Sequence, residues 1–282
     1  MFSDPTLVRV FLGTFLIGLI AAVVGFFTFL QKKALIGDAV SHAILPGVIL
    51  AYAFSGVRET WILLIGAFVS GWLATQQISW LERTTKLKSD TVIAVVMSTF
   101  FALGLCGLSW LQLNPDDGQA GLSDFLFGKI AAISMVDIYF LMGIAIFILL
   151  VVALRFRYFV SFAFNREFMI GKGFSEKLNS FLLNTMIILA VAMGIQALGV
   201  VLMSALLIVP VASARMLTNK INLLFVVAIG IGCFSAVFGA YISTLKENMP
   251  TGPWIIMVLT MITSIAAVSR WIVSKTKQVK HG

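Results

Sequence analysis

Eight stretches of this 282-residue chain contain no Asp, Glu, Lys or Arg: residues 10–30, 39–57, 61–81, 91–113, 138–154, 178–214, 221–245 and 253–269. About 17–25 apolar residues match the hydrocarbon thickness of a bilayer. Inside it, every backbone N–H and C=O must be bonded within a helix or a closed barrel. Uninterrupted apolar runs of this length, without strict alternation, select helices. Only 11% of the residues are charged and 60% are hydrophobic, against about 25% charged in soluble domains. The chain therefore reads as an all-α polytopic membrane protein, one transmembrane domain over residues 1–282 with no soluble domain. The first stretch is too long for a signal-peptide h-region and has no small-residue cleavage site, so it reads as a retained span. Cys106 and Cys233 fall inside apolar stretches and read as packing residues.

Residues 178–214 are too long for one span and suffice for two, with a break expected between Gly194 and Gly199. That makes about nine transmembrane helices. With the N-terminus outside, sixteen of the twenty basic residues fall on the inner side, including Lys32, Lys33, Arg83, Lys86, Lys88, Arg155, Arg157, Arg166, Lys172, Lys177, Arg215 and Lys220. The outer side keeps Arg9, Arg58, Lys129 and Lys246, with seven acids. Cytoplasmic connections carry the excess of Lys and Arg, so the expected topology is N-terminus outside, C-terminus cytoplasmic. The net charge of +8 then reflects orientation rather than a nucleic-acid surface.

Three connections are more than loops. Residues 124–137 are apolar, too short to span, and outside, which suits a re-entrant or interfacial segment able to gate a pathway, or a structural cap. Residues 156–177 lie inside and include Asn165-Arg166-Glu167-Phe168-Met169-Ile170-Gly171-Lys172-Gly173, a short amphipathic helix ended by glycine. The prolines and glycine of Met249-Pro250-Thr251-Gly252-Pro253 form a rigid turn into the last span.

The chemistry is concentrated in Gly37-Asp38-Ala39-Val40-Ser41-His42-Ala43-Ile44-Leu45-Pro46-Gly47. Residues four apart share a helix face, so Asp38 and His42 can reach one ion. Both are ligands for first-row divalent metals. An ionisable pair within a span is costly and points to function, although a hydrogen-bonded packing pair remains the plainer alternative. Two ligands do not fill a coordination sphere; a symmetric dimer would supply four, or water and carbonyls could complete it. The Gly-x-x-x-x-Gly-Lys-Ser/Thr phosphate loop is absent. No nucleophile has a histidine partner in context, and His281 sits in a basic tail.

These residues carry a resemblance. Gly37 to Val48 resembles the signature of the ABC-3 family, the membrane permeases of bacterial ABC importers for manganese, zinc and iron. Residues 124–133, with Phe127 and Gly128 as the candidate gate, resemble its Tyr-Leu-Phe-Gly segment. Residues 199–215 resemble its Gly-to-Pro-Ala-Ala-x-Ala-Arg stretch, and Met249 to Pro253 its Pro-x-Gly-Pro turn. The four occur in the family's order. The resemblance implies a fold similar to the vitamin B12 and siderophore permeases with one helix fewer at the N-terminus. It also implies a bacterial inner-membrane location, a second permease subunit (homodimer or close heterodimer), a cytoplasmic ATPase dimer that hydrolyses ATP on the permease's behalf, and an extracytoplasmic metal-binding protein. Residues 164–173 match the position of its ATPase-coupling helix, with Glu167 and Gly171 its recognisable members and Asn165 where aspartate is common. No cofactor is held permanently; the divalent metal is cargo, bound by Asp38 and His42.

The resemblance favours manganese, with zinc or iron as alternatives. Residues 91–113 lack the histidine that zinc-type relatives often carry there, and the 39–47 wording is similar to the manganese branch. Met203 could touch a soft ion but reads better as core. A secondary metal transporter would need more intramembrane ionisable groups and inverted repeats; a membrane scaffold would leave Asp38 and His42 unexplained. The orientation is checked by impermeant thiol labelling of intact cells carrying Gln119→Cys or Lys275→Cys in a background without Cys106 and Cys233. The first should react and the second should not; labelling of the second from outside contradicts the topology.

Overall fold

A computed structural model describes residues 5–56, 59–113, 130, 133–245 and 249–279. Ten helices occur among the described residues: α1 (Pro5–Leu30), α2 (Ile36–Ser55), α3 (Thr60–Thr84), α4 (Ser89–Leu113), α5 (Met135–Phe164), α6 (Arg166–Gly171), α7 (Glu176–Leu198), α8 (Val200–Leu217), α9 (Ile221–Ser243) and α10 (Thr251–Val279). Eight of them, all but α6 and α8, are long and apolar enough to cross a membrane. The 18 residues of α8 rise about 27 Å, only about 3 Å less than a hydrocarbon core. Among the described residues it is a shorter, ninth apolar helix beside those eight.

The 178–214 stretch divides within the expected window. α7 ends at Leu198 and α8 begins at Val200, with Gly199 between them at φ 85°, ψ 165°. Only glycine occupies that region without a large steric cost. The break folds α8 back onto α7, and Met203 packs fully buried against Gly194. Met203 is core, as its apolar setting implied.

α1 is the central post. Residues 20–28 are all buried, and the helix packs against α5, α7, α8 and α9. Being apolar all round, it has no polar face to turn outward. At one end of it Phe26 and Phe27 meet Phe156 of α5 and Phe225 of α9, with ring centroids 5.0–6.2 Å apart. α2 packs chiefly on α3 and α4, and α10 on α8 and α9.

α5 differs from the sequence expectation. Its apolar core ends at Leu154, yet the helix runs ten residues further to Phe164. Arg155 and Arg157 lower the hydropathy but do not stop a helix; residues 155–164 hold neither Gly nor Pro, and Phe159 and Phe162 are buried. Asn165, at φ −147°, ends it. The first nine residues of the 156–177 segment therefore belong to α5. Cys106 is exposed on α4 rather than packed, and Cys233 is half-buried; both are free thiols.

The end opposite the basic one is tied by side chains. Thr60 donates to Asp137 Oδ1 at 2.9 Å, and Gln196 Nε2 donates to Thr60 at 3.2 Å, linking α3, α5 and α7. Asp137 also completes a capping box with Ser134 at the start of α5. Ile130 and Ile133 are buried, Ile133 against Gly13 of α1. The candidate gate residues Phe127 and Gly128 lie outside the described residues, as does most of the 124–137 segment.

A methyl group on Gly25 would overlap the Leu207 backbone carbonyl, whereas one on Gly143 meets nothing within 4 Å. Gly25→Ala should therefore cost about 1–3 kcal/mol by overpacking α1 against α8, while Gly143→Ala should gain about 0.5–1 kcal/mol from helix propensity. Thermal unfolding of the purified protein in detergent checks the opposite signs.

Candidate metal site

The connection from α1 to α2 is short and held in place. Gln31 to Leu35 form a tight turn in which Lys32 takes φ 58°. Lys33 Nζ pairs with Glu82 Oε2 of α3 at 2.7 Å, and Ser89 at the start of α4 donates to Glu82 Oε1 at 2.5 Å. One carboxylate thus fixes the entry to α2, the end of α3 and the beginning of α4.

This turn does not reach the end of the bundle. α2 and α3 run antiparallel: Ser70 Oγ donates to the Ala43 carbonyl at 2.6 Å, Gly47 lies against the Gly66 carbonyl, and Ala39 clusters with Ala74 and Ile78. That register carries Asp38 to the level of about Thr75, nine residues before α3 ends at Thr84, or roughly 14 Å of rise. α1 gives a shallower but still internal position. Gly37 and Gly25 both abut Leu207, and Gly25 is five residues, roughly 7.5 Å, from the end of α1 at Leu30. α2 therefore starts inside the bundle, with Asp38 in its first turn set back roughly 7–14 Å from the ends of α1 and α3.

The two sequence-predicted ligands are brought together. His42 Nε2 lies 3.7 Å from Asp38 Oδ1, and both side chains remain partly open, at 27% and 36% exposure. That separation is too long for a hydrogen bond. Two donors held about 2.1 Å from one ion at the tetrahedral angle lie about 3.4 Å apart, so a shift of a few tenths of an ångström would let both reach one ion. The edge of Phe101 from α4 packs on the imidazole with centroids 4.7 Å apart, limiting its rotation. The helix start adds a partial positive charge that favours the Asp38 anion and weakens a bound cation. Pro46, one turn further along α2, has no N–H, so the His42 carbonyl loses its helical partner.

A third polar group was not singled out by the sequence. Ser204 Oγ of α8 donates to the same Asp38 Oδ1 at 3.0 Å and lies 3.2 Å from its own Val200 carbonyl. Its signal was faint: a hydroxyl five residues after a helix-breaking glycine within a charge-free run. Beyond His42, α2, α3 and α4 line an apolar groove of about 660 Å3 that includes Pro46, Leu50, Trp61, Ile65 and Phe100 and no ionisable side chain. Among the described residues no group of three or more His, Cys, Asp or Glu could hold a metal. His281 lies outside them.

The predicted coupling residues cluster at the basic end, away from this site. Asn165 Oδ1 caps α6 by accepting from the Phe168 N–H at 3.1 Å. Glu167 lies in its first turn, Gly171 is its last residue, and Gly173, at φ 82°, closes the turn beyond it. Met169 is buried, while Glu167, Phe168 and Ile170 are exposed. Arg166 pairs with Glu176 of α7 at 2.6 Å, and Glu176 also meets Arg83 of α3 at 3.4 Å. Lys33, Glu82, Arg83, Arg166 and Glu176 line one polar cleft of about 350 Å3.

Residues 3–270 match a family model described as the ABC 3 transport family. The chain belongs to the ABC 3 transport family. Among relatives of this ABC 3 chain, the zinc transport system membrane protein TroC of Treponema pallidum is 39% identical over 266 residues, 94% of this chain and 89% of that one. The manganese transport system membrane protein MntC of Bacillus subtilis is 36% identical over 260 residues; the match covers 92% of this chain and 60% of that longer relative. The chelated iron transport system membrane protein YfeD of Yersinia pestis is 32% identical over 267 residues, 95% of this chain and 86% of that one. The structure of PsaBC from Streptococcus pneumoniae in complex with Fab superposes with a TM-score of 0.81 at 28% identity, covering 94% of this chain and 91% of that one.

Because Lys33 and Glu82 are roughly a quarter exposed, their pairing should contribute about 0.5–1 kcal/mol. Glu82→Lys should lower the thermal midpoint of the purified ABC 3 chain, and the double exchange Lys33→Glu with Glu82→Lys should recover part of it. A double-mutant cycle measures the recovery; strict additivity contradicts the pairing.

Proposed function

We propose that this chain is the membrane permease subunit of an ATP-driven importer of divalent transition metal, and that its cargo is manganese. The single observation that carries the ion site is the Asp38–His42 pair, on one helix face, 3.7 Å apart and partly open at depth in the bundle. Family membership supports the transport role and, with it, an ATPase partner and a substrate-binding partner. The second permease subunit is a copy of this chain or a close homologue; a copy would set two Asp38–His42 pairs across a shared pathway. The N-terminus faces out and the C-terminus the cytoplasm of a bacterial inner membrane, which puts α6 on the side where ATP is hydrolysed by the separate ATPase. The 124–137 segment, with Phe127 and Gly128, gates the outer side.

Manganese is favoured by the donor chemistry. Asp38 and the neighbouring Ser204 offer oxygen and His42 a single nitrogen, with no thiolate nearby, and oxygen-rich sets suit manganese better than zinc. Zinc is the second reading, favoured by the imidazole and by the TroC relative. Moderate affinity suits transport, since the ion must leave again.

Asp38→Asn keeps size and removes the anionic ligand; His42→Ala removes the nitrogen. Each should reduce radiolabelled manganese accumulation at least about tenfold, a loss of about 1.4 kcal/mol or more, with assembly on the ATPase unchanged. Normal uptake by both variants removes the pair from the mechanism. Competition with unlabelled zinc and iron in the same cells ranks the metals. Separately, Glu167→Arg on exposed α6 should weaken co-purification with the ATPase and metal-stimulated ATP hydrolysis; no change in either makes α6 a membrane-surface helix.

A further inference from the structure

Resting on the reading of Asp38 and His42 as the ion site, we propose that Ser204 is its third protein ligand and the residue that tilts it toward hard, oxygen-preferring cations. The hydroxyl has one proton and two acceptors in reach, Asp38 Oδ1 at 3.0 Å and the Val200 carbonyl at 3.2 Å. Without an ion it donates to the carboxylate, keeping Asp38 oriented and partly offsetting the cost of a carboxylate at this depth. When a cation takes Oδ1, the hydroxyl turns its proton to the Val200 carbonyl and faces the ion with a lone pair. No proton leaves and no charge changes; a neutral oxygen is added to the coordination sphere.

The backbone supports such a fixed donor. Ser204 sits just past the Gly199 break, with Met203, Leu206 and Leu207 buried around it. Leu207 is wedged between Gly25 and Gly37, which locks α8 against the start of α2. Ser204 is itself half-buried, on the Asp38 side. Asp38, His42 and Ser204 together give two oxygens and one nitrogen from two helices. Two copies of the chain would bring six donors, the octahedral number that manganese accepts and tetrahedral zinc does not need.

The test uses the purified intact importer, with manganese alone and cadmium alone as probes. Ser204→Ala should weaken manganese binding, read by loss of the free-ion electron paramagnetic resonance signal, by about 10–100-fold. Ser204→Thr, which keeps a hydroxyl, should stay near wild type. Ser204→Cys should lose manganese and gain a thiolate-to-cadmium ultraviolet charge-transfer band above the wild-type background, and adding Asp38→Asn should abolish that extra band. A packing role for Ser204 would move both metals alike and give no such band. If Ser204→Ala fails to assemble, the Thr and Cys variants carry the test. Manganese binding by Ser204→Ala equal to wild type, or no extra band in Ser204→Cys, overturns the assignment. If Asp38→Asn alone leaves manganese binding intact, the ion-site reading itself fails; if it abolishes binding while Ser204→Ala does not, only the Ser204 assignment fails.

Discussion

The hydrogen bond from Ser204 to Asp38 joins α8 to the first turn of α2, which starts inside the bundle, and the rest of the site depends on it. A carboxylate at the centre of a membrane helix costs about 2.5–3.5 kcal/mol on insertion scales, an upper bound for the partly open Asp38. A hydrogen bond to a charged acceptor returns about 1.5–3 kcal/mol, and the first turn of a helix about 0.3–1 kcal/mol. The two sides nearly balance. On the proposed reading, the contact is weak enough for a cation to compete for the same oxygen.

That arrangement requires α2 to begin below the surface. Glu82 makes this workable by receiving both Lys33 and Ser89, so a short turn is anchored to α3 and α4 rather than left in lipid. The next residue, Arg83, meets Glu176, which also holds Arg166 at the start of α6. The adjacent pair Glu82-Arg83 therefore sits between the exposed helix α6 and the entry to α2. Each of these ion pairs is partly solvated and weak alone. Their physical role is to give α2, α3, α6 and α7 a common footing at the basic end.

Much of this was legible in the sequence because lipid leaves few options. Charge-free runs gave the helices, and a 37-residue run with glycines near its middle gave the α7–α8 division, since Gly199 adopts a backbone conformation other residues avoid. Asp38 and His42 stood out because ionisable groups are rare within such runs or at their edge, and four residues is about one helical turn. The depth of Asp38 was hidden: it follows from antiparallel pairing of α2 with α3, a long-range contact that hydropathy does not encode. Ser204 was hidden for the same reason, 166 residues away from its partner. The overrun of α5 to Phe164 was missed because two arginines mark the end of an apolar stretch without ending a helix.

Metal coordination by His42 is the central claim, and pulsed electron paramagnetic resonance of manganese bound to the intact importer tests it most directly. The chain has only two histidines, His42 and His281. Histidine-nitrogen modulation of the bound manganese signal, shifted by nitrogen-15 histidine labelling of this chain alone and lost in His42→Ala, is the expected result. Bound manganese with no histidine nitrogen, or a nitrogen signal that survives His42→Ala, contradicts it.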